Sequence, residues 1–496
     1  MPTRSRAGAR VSSVLVLVLL PALLAALVQG PATGLSAPVT TGDPAARPAA
    51  RQAPPGTAGI GDPYWPYDGN RGIDVRHYDI RDSYDFTTGR LAGTTTLTVR
   101  ATTRLSRFQL DLLLPTSAVT VDGVTAAFRR REPHELDITP ATPIAKGARF
   151  TVRVTYSGRP SALGYAGEGN WLADSREVVT MNEPHMAPWW FASNDHPSDK
   201  ATYDVTVTGP ATHQVVSNGL LIGRTTDGPT ATTHWRSVKP MAGYLAFFAL
   251  GRYRIEHGTS NGLPWYVAVS KELDSTSQAV ALRVLRGSPR VTAWLAGRLG
   301  TYPFESTGGL TTSLDVGFAL ENQTRPTYPR SFGSNSSVLV HELAHQWFGD
   351  SVSVRRWRDI WLNEGFATFM EAAYAERHGG QSAKRWLADE YDSATTYGTR
   401  TFWRLDLTDP GPRHVFDYPV YLRGGMALQA LRNRIGEHDF WSLLHTWVKT
   451  RRYGNGSVEA FERLAEKVSH ERLGGFFRAW LETPRPPRET AANGLA

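Results

Sequence analysis

The sequence predicts a multidomain α+β protein in which an antiparallel β domain precedes a mostly α-helical one. Three observations carry that expectation. The chain has 496 residues, beyond the roughly 250 to 300 at which a single core stops growing. Apolar residues alternate with period two from Asp62 to about Tyr253, and after about Arg254 they recur with a helical period. A hydrophobic content of 41 %, with 15 Trp, 19 Phe and 18 Tyr, is enough to fill two cores.

Residues 1–34 have the layout of a secretory signal. Arg4, Arg6 and Arg10 precede an apolar stretch from Val14 to Val28, and small residues around Ala32-Thr33-Gly34 offer a cleavage site. The stretch is short for a bilayer and holds Pro21, so cleavage is expected in preference to a retained anchor. A secreted protein with no stable membrane association after cleavage follows as the expectation. Removing residues 1–34 takes away three arginines and no acid, which lowers the formal charge from +8 to +5. The longest basic run, Arg129-Arg130-Arg131, has no aromatic residues interleaved, so nucleic acid is not an expected partner. With no cysteine in the chain, stability rests on burial and bound groups instead of disulfides.

Residues 35–60 are rich in Ala, Pro, Gly and Thr without apolar periodicity, as a flexible linker is. The β domain is expected over 61–254. Leu97, Val99 and Ala101 alternate with Thr98 and Arg100, Phe150, Val152, Val154 and Tyr156 with Thr151, Arg153 and Thr155, and Tyr203, Val205 and Val207 mark a further strand. Asp122-Gly123 and Asn218-Gly219 are turn signals. The helical domain is expected over 255–483, with helices at 279–299, 336–348, 359–377, 425–435 and 458–481, and residues 484–496 read as a frayed tail.

The chemistry is concentrated in two of these helices. His341-Glu342-Leu343-Ala344-His345 places two imidazoles at i and i+4, on one helix face, close enough to share a metal ion. Ser334 to Ser337 offer N-caps for this helix and Gly349 a stop. Glu364, in Trp361-Leu362-Asn363-Glu364-Gly365-Phe366-Ala367, opens the next helix and supplies a carboxylate ligand. Zinc held by His341, His345 and Glu364, one ion per chain, keeps a fourth position for water, whose pKa falls to about 7. Glu342 sits beside that position as the base. Glu371, seven residues after Glu364, is the candidate acceptor for the outer nitrogen of a ligand imidazole.

Through these two segments, the chain resembles the aminopeptidase N family of gluzincin metallopeptidases over about residues 65 to 482. The resemblance implies a saddle-like N-terminal β domain and a thermolysin-like catalytic domain, in a short form without the family's C-terminal helical domain. Phe318-Ala319-Leu320-Glu321-Asn322 resembles the family's Gly-Ala-Met-Glu-Asn strand, so Glu321 is implied to grip the α-ammonium of the substrate, with Ala319 and Leu320 along the substrate edge. Thr180-Met181-Asn182-Glu183-Pro184 resembles Thr-Gln-x-Glu-Pro and implies a second amine contact at Glu183, with Met181 in place of the usual Gln. Tyr421-Leu422-Arg423-Gly424 resembles Tyr-x-Lys-Gly and implies that Tyr421 donates to the oxyanion, a contact of about 2.7 to 4 kcal/mol in comparable sites. The activity so implied is zinc-dependent removal of N-terminal residues from peptides with free N-termini. A thermolysin-like endopeptidase with an open cleft and a catalytically silent binding module of the same fold are the alternatives.

Overall fold

The computed structural model describes residues 59–332, 335–398 and 401–496. The expected signal segment and nearly all of the expected linker lie outside these residues. The alternating segments build an eight-stranded sheet in the order Leu220–Asp227, Thr230–Ala242, Lys200–Pro210, Ile73–Asp85, Arg90–Ala101, Arg149–Gly158, Thr116–Val121 and Val124–Thr125. Along Arg149–Gly158 every second side chain, from Phe150 to Tyr156, is buried, as a sheet with one solvated face requires. One pair departs from the antiparallel expectation: Ile73–Asp85 runs parallel to Lys200–Pro210, with Ile80 opposite Val205. The two strands lie more than a hundred residues apart in the chain, and that separation leaves room for the crossover a parallel pair needs.

The two turn signals have different fates. Asp122 and Gly123 both have positive φ, 49° and 79°, and close a tight hairpin between Thr116–Val121 and Val124–Thr125. Asn218-Gly219 does not close a hairpin. It carries the chain from Gln214–Ser217 in a four-stranded sheet to Leu220–Asp227 in the eight-stranded one. The Asn218 side chain is buried and donates to the carbonyls of Leu245 and Gln323, so its polarity serves a sheet-to-sheet crossing.

A mixed sheet opens the second part of the chain, with Tyr253–Ser260 antiparallel to Leu263–Ser270 and the latter parallel to Thr307–Thr311. Helices then follow: α1 (Ser275–Leu285), α2 (Ser288–Leu299), α3 (Ser336–His345), α4 (Trp361–Arg377), α5 (Ala383–Thr396), α6 (Tyr418–Ile435), α7 (Glu437–Thr450), α8 (Val458–Ser469) and α9 (Gly474–Phe477). None of the helices among the described residues is long and apolar enough to cross a membrane.

Three helical expectations need correction. The helix expected at 279–299 is two helices, because Pro289 lacks the N–H that a continuous helix uses and instead sits in the first turn of α2. The one expected at 458–481 breaks at His470, whose φ is 56°. Helices α5 and α7 were not expected. The frayed tail is also corrected: Tyr391 donates to the carbonyl of Pro487, the Trp480 indole donates to the carbonyl of Asn493 at 3.0 Å, and Asn433 donates to that of Gly494 at 2.9 Å. A Pro-rich segment needs no helix or strand to pack when neighbouring side chains satisfy its carbonyls.

Candidate metal centre and substrate cleft

Helix α3 begins where the Asn335 side chain accepts from the N–H groups of Ser337 and Val338. Leu339, Val340, Leu343 and Ala344 bury one side of it, and the remaining face presents His341 and His345. Helix α4 crosses α6 at a point where glycines meet. A Cβ built on Gly365 would lie 2.9 Å from the Gly424 backbone, so the two helix axes approach as closely as backbone allows. That contact brings Glu364, one residue before Gly365, near Tyr421, three residues before Gly424.

The structure brings His341, His345 and Glu364 together. One ligand atom from each lies within 4.8 Å of the others, and the Nε2 atoms of His341 and His345 each stand 3.4 Å from the same oxygen, Glu364 Oε2. The outer nitrogens are occupied. His341 Nδ1 is 2.8 Å from Glu371 Oε1, and His345 Nδ1 is 3.0 Å from the carbonyl of Phe348. Each acceptor fixes the proton on Nδ1 and leaves the Nε2 lone pair facing the shared point. Glu371 is held in turn by the Ser337 hydroxyl. Two neutral imidazoles and one carboxylate, converging and oriented, fit a zinc ion with a position left over.

Glu342 is 4 % exposed and shares a second convergence with Glu321 and His345, again within 4.8 Å. Burial lifts its carboxyl to about 8, a shift that a cation among its neighbours opposes. Glu321 lies on the segment that follows Leu320, whose backbone pairs with Thr327. Gln346 clamps that segment: its amide donates to the carbonyl of Glu321 at 3.0 Å, and its oxygen accepts from Thr324 N at 2.7 Å. Tyr244 donates to Glu321 Oε1 at 3.5 Å. Glu183 is held well above the ordinary carboxylate range by burial first, then by Glu321 and Glu364, and its Oε1 is buried without a hydrogen-bond partner. The Tyr421 ring lies nearly parallel to that of His341, with centroids 6.0 Å apart.

Ala319 is half-buried and Leu320 buried. Leu320 belongs to a small separate core with Val179, Met181, Phe247 and Leu310. Met181, 1 % exposed, therefore packs into that core. Reasoning from sequence did not single out Tyr244, Gln346 or Asp350. Asp350 is fully buried, and neither carboxylate oxygen has a hydrogen-bond partner. Gln346 directly follows His345 and could have been flagged by its place in the motif. Tyr244 reaches the cleft from a turn far away in sequence and carries no local signal.

Similarity to known proteins agrees with this geometry. Residues 75–245 match the Peptidase M1 N-terminal domain, and residues 305–480 match the Peptidase family M1 domain. Aminopeptidase N of Streptomyces lividans is 27 % identical over 357 residues, which is 65 % of this chain and 40 % of that protein. Glutamyl aminopeptidase of Bos taurus is 28 % identical over 324 residues, 59 % of this chain and 32 % of that protein. The chain thus spans less than half the length of these curated relatives. Among solved structures, a mutant M1 zinc metallopeptidase from Deinococcus radiodurans bound to a Tyr-Ser-Ala substrate superposes with a TM-score of 0.77 at 30 % identity, covering 87 % of this chain and 99 % of that one. A mutant two-domain M1 zinc metallopeptidase bound to L-arginine gives a TM-score of 0.75 at 29 % identity, covering 87 % of this chain and 100 % of that one.

Proposed function

The chain belongs to peptidase family M1, and from that premise we propose that it is an exported zinc aminopeptidase, cleaving the first peptide bond of peptides with free N-termini. The observation that carries the proposal is the pairing of two carboxylates, the buried Glu321 and the half-buried Glu183, with the convergent set His341, His345 and Glu364. Glu183, Glu321, Glu342, Glu364 and Asp350 crowd one cleft against two imidazoles. Such a cleft calls for cations, and a metal ion and a substrate ammonium together supply them.

His341, His345 and Glu364 would hold one zinc ion, which when bound polarises a carbonyl and makes water a stronger acid. Glu321 and Glu183 bind the α-ammonium, so that the first peptide bond and no later one reaches the reacting position. Glu342 takes the proton of the attacking water at its carboxylate and delivers it to the leaving amine. Tyr421 donates to the oxygen on which negative charge develops. Half-buried Ala319 edges the cleft beside Glu321, whereas the Leu320 side chain is taken up by the small separate core and does not line it, which corrects the expectation from sequence. Export rests on the arginine-flanked apolar stretch of residues 1–34.

The proposal is tested with matched peptides bearing free or acetylated N-termini, offered to the wild type and to Glu321→Ala. Cleavage restricted to free N-termini, and a Glu321→Ala variant that loses that selectivity or most of its kcat/KM, is the expected result. Equal cleavage of acetylated peptides would mean an endopeptidase, and would remove Glu321 from its role.

A further inference from the structure

A further convergence of ligand-type side chains lies in the β domain and shares no residue with the peptidase centre. Asp111 ends strand Phe108–Asp111, Glu135 begins strand Glu135–Thr139, and the two are directly opposite in antiparallel register. Cross-strand partners project to the same side, so two carboxylates are held together, an arrangement that destabilises a sheet unless positive charge joins them. His134 precedes Glu135, and Asp68 arrives from the segment ahead of the first strand. Asp68, Asp111, His134 and Glu135 are each 1 % exposed. One ligand atom each from Asp111, His134 and Glu135 lies within 4.8 Å of the others.

Distances separate a hydrogen-bonded network from a coordination shell here. His185 Nε2 lies 2.7 Å from Asp68 Oδ2, the length of a charge-assisted hydrogen bond. His134 Nε2 instead stands 3.5 Å from Asp68 Oδ1, 3.5 Å from Asp111 Oδ1 and 3.9 Å from Glu135 Oε1. Neither ring nitrogen of His134 and neither carboxylate oxygen of Glu135 has a hydrogen-bond partner. Ligands about 2.0 to 2.2 Å from a shared tetrahedral ion stand roughly 3.3 to 3.6 Å apart. The same spacing, 3.4 Å, separates each Nε2 of His341 and His345 from Glu364 Oε2.

The remaining polar contacts brace these side chains. Tyr165 donates to Asp68 Oδ1 at 2.7 Å, and the backbone N–H of Asp195 donates to Asp111 Oδ2 at 2.7 Å. Asp195 brings a fourth buried carboxylate, so the acids outnumber the two imidazoles of His134 and His185. We propose that Asp68, Asp111, His134 and Glu135 form a structural site for a divalent transition-metal cation, zinc foremost, distinct from the peptidase centre. One imidazole among carboxylates is a zinc-type donor set, whereas magnesium and calcium prefer oxygen alone. Full burial and four protein ligands describe a closed site, without a position for substrate. The ion would tie the segment ahead of the first strand to two strand ends. Through the Asp68–His185 bond it would also brace the loop that carries Glu183.

The test is a metal count on the full chain, expressed with ZnCl2 in the medium, gel-filtered and measured by inductively coupled plasma mass spectrometry. Two equivalents are expected in the wild type, one in the double variant His345→Ala/Glu364→Ala, and none when Glu135→Gln and Asp111→Asn are added. One equivalent in the wild type that is lost in the double variant would overturn the proposal. So would an equivalent in the double variant that survives Glu135→Gln and Asp111→Asn. Because the count does not depend on turnover, an inactive chain with two ions would refute the peptidase proposal alone, and an active chain with one ion this proposal alone.

Discussion

Glu371 shows how much of a metal centre lies outside its ligands. Its carboxylate takes the outer proton of His341 and is itself held by the Ser337 hydroxyl. An acceptor of this kind fixes the ring orientation and raises ligand basicity. Glu371→Ala should therefore weaken zinc binding about 10- to 100-fold while leaving the fold intact. Competition against a chromogenic chelator, with circular dichroism alongside, measures both; unchanged zinc affinity would show that His341 needs no such partner. The spacing from Glu364 already singled out Glu371, because i+7 keeps a residue on the same helix face. Tyr244 and Asp350 had no such periodicity to reveal them.

At the scale of elements, the α4–α6 crossing decides whether the site exists. Both helices need glycine where they touch, since a Cβ on Gly365 would meet the Gly424 backbone at 2.9 Å. Gly365→Ala forces the helices apart next to Glu364, an overpacking that should cost about 1 to 3 kcal/mol. Urea denaturation checks the stability loss, and zinc content checks whether Glu364 has moved; a variant as stable and as metal-loaded as wild type would mean the crossing is slack. The motif residues around both glycines were visible in the sequence as strings. That the two strings touch was not, because it depends on two helices separated by the whole of α5.

For the whole molecule, the C-terminal segment acts as a strap across the helical part. It satisfies the Tyr391 hydroxyl, the Trp480 indole and the Asn433 amide with its own carbonyls, and Leu495 packs against the main core. Removing residues 486–496 leaves those donors without partners, each worth about 1 to 3 kcal/mol where burial keeps water out. Differential scanning calorimetry should show a lower Tm for the truncated chain; an unchanged Tm would return the segment to the frayed tail that its composition suggested. Proline and glycine content describes what a segment does alone, and it is silent on neighbours that can bond its carbonyls.

The sequence by itself determined the order of β and α regions and the face on which His341 and His345 lie together. It also marked Glu364 as the residue to meet them. These are local properties, set by periods of two and 3.6 and by caps such as Asn335 that act within one turn. Only the tertiary structure decided the parallel pairing of Ile73–Asp85 with Lys200–Pro210, the inward packing of Met181 and the clamp of Gln346 on Glu321. It alone drew Asp68, Asp111, His134 and Glu135 into one buried cluster. Each of these joins residues tens to more than a hundred positions apart, and a contact at that range is set by packing and by the pairing of buried polar groups, which no periodicity along the chain records.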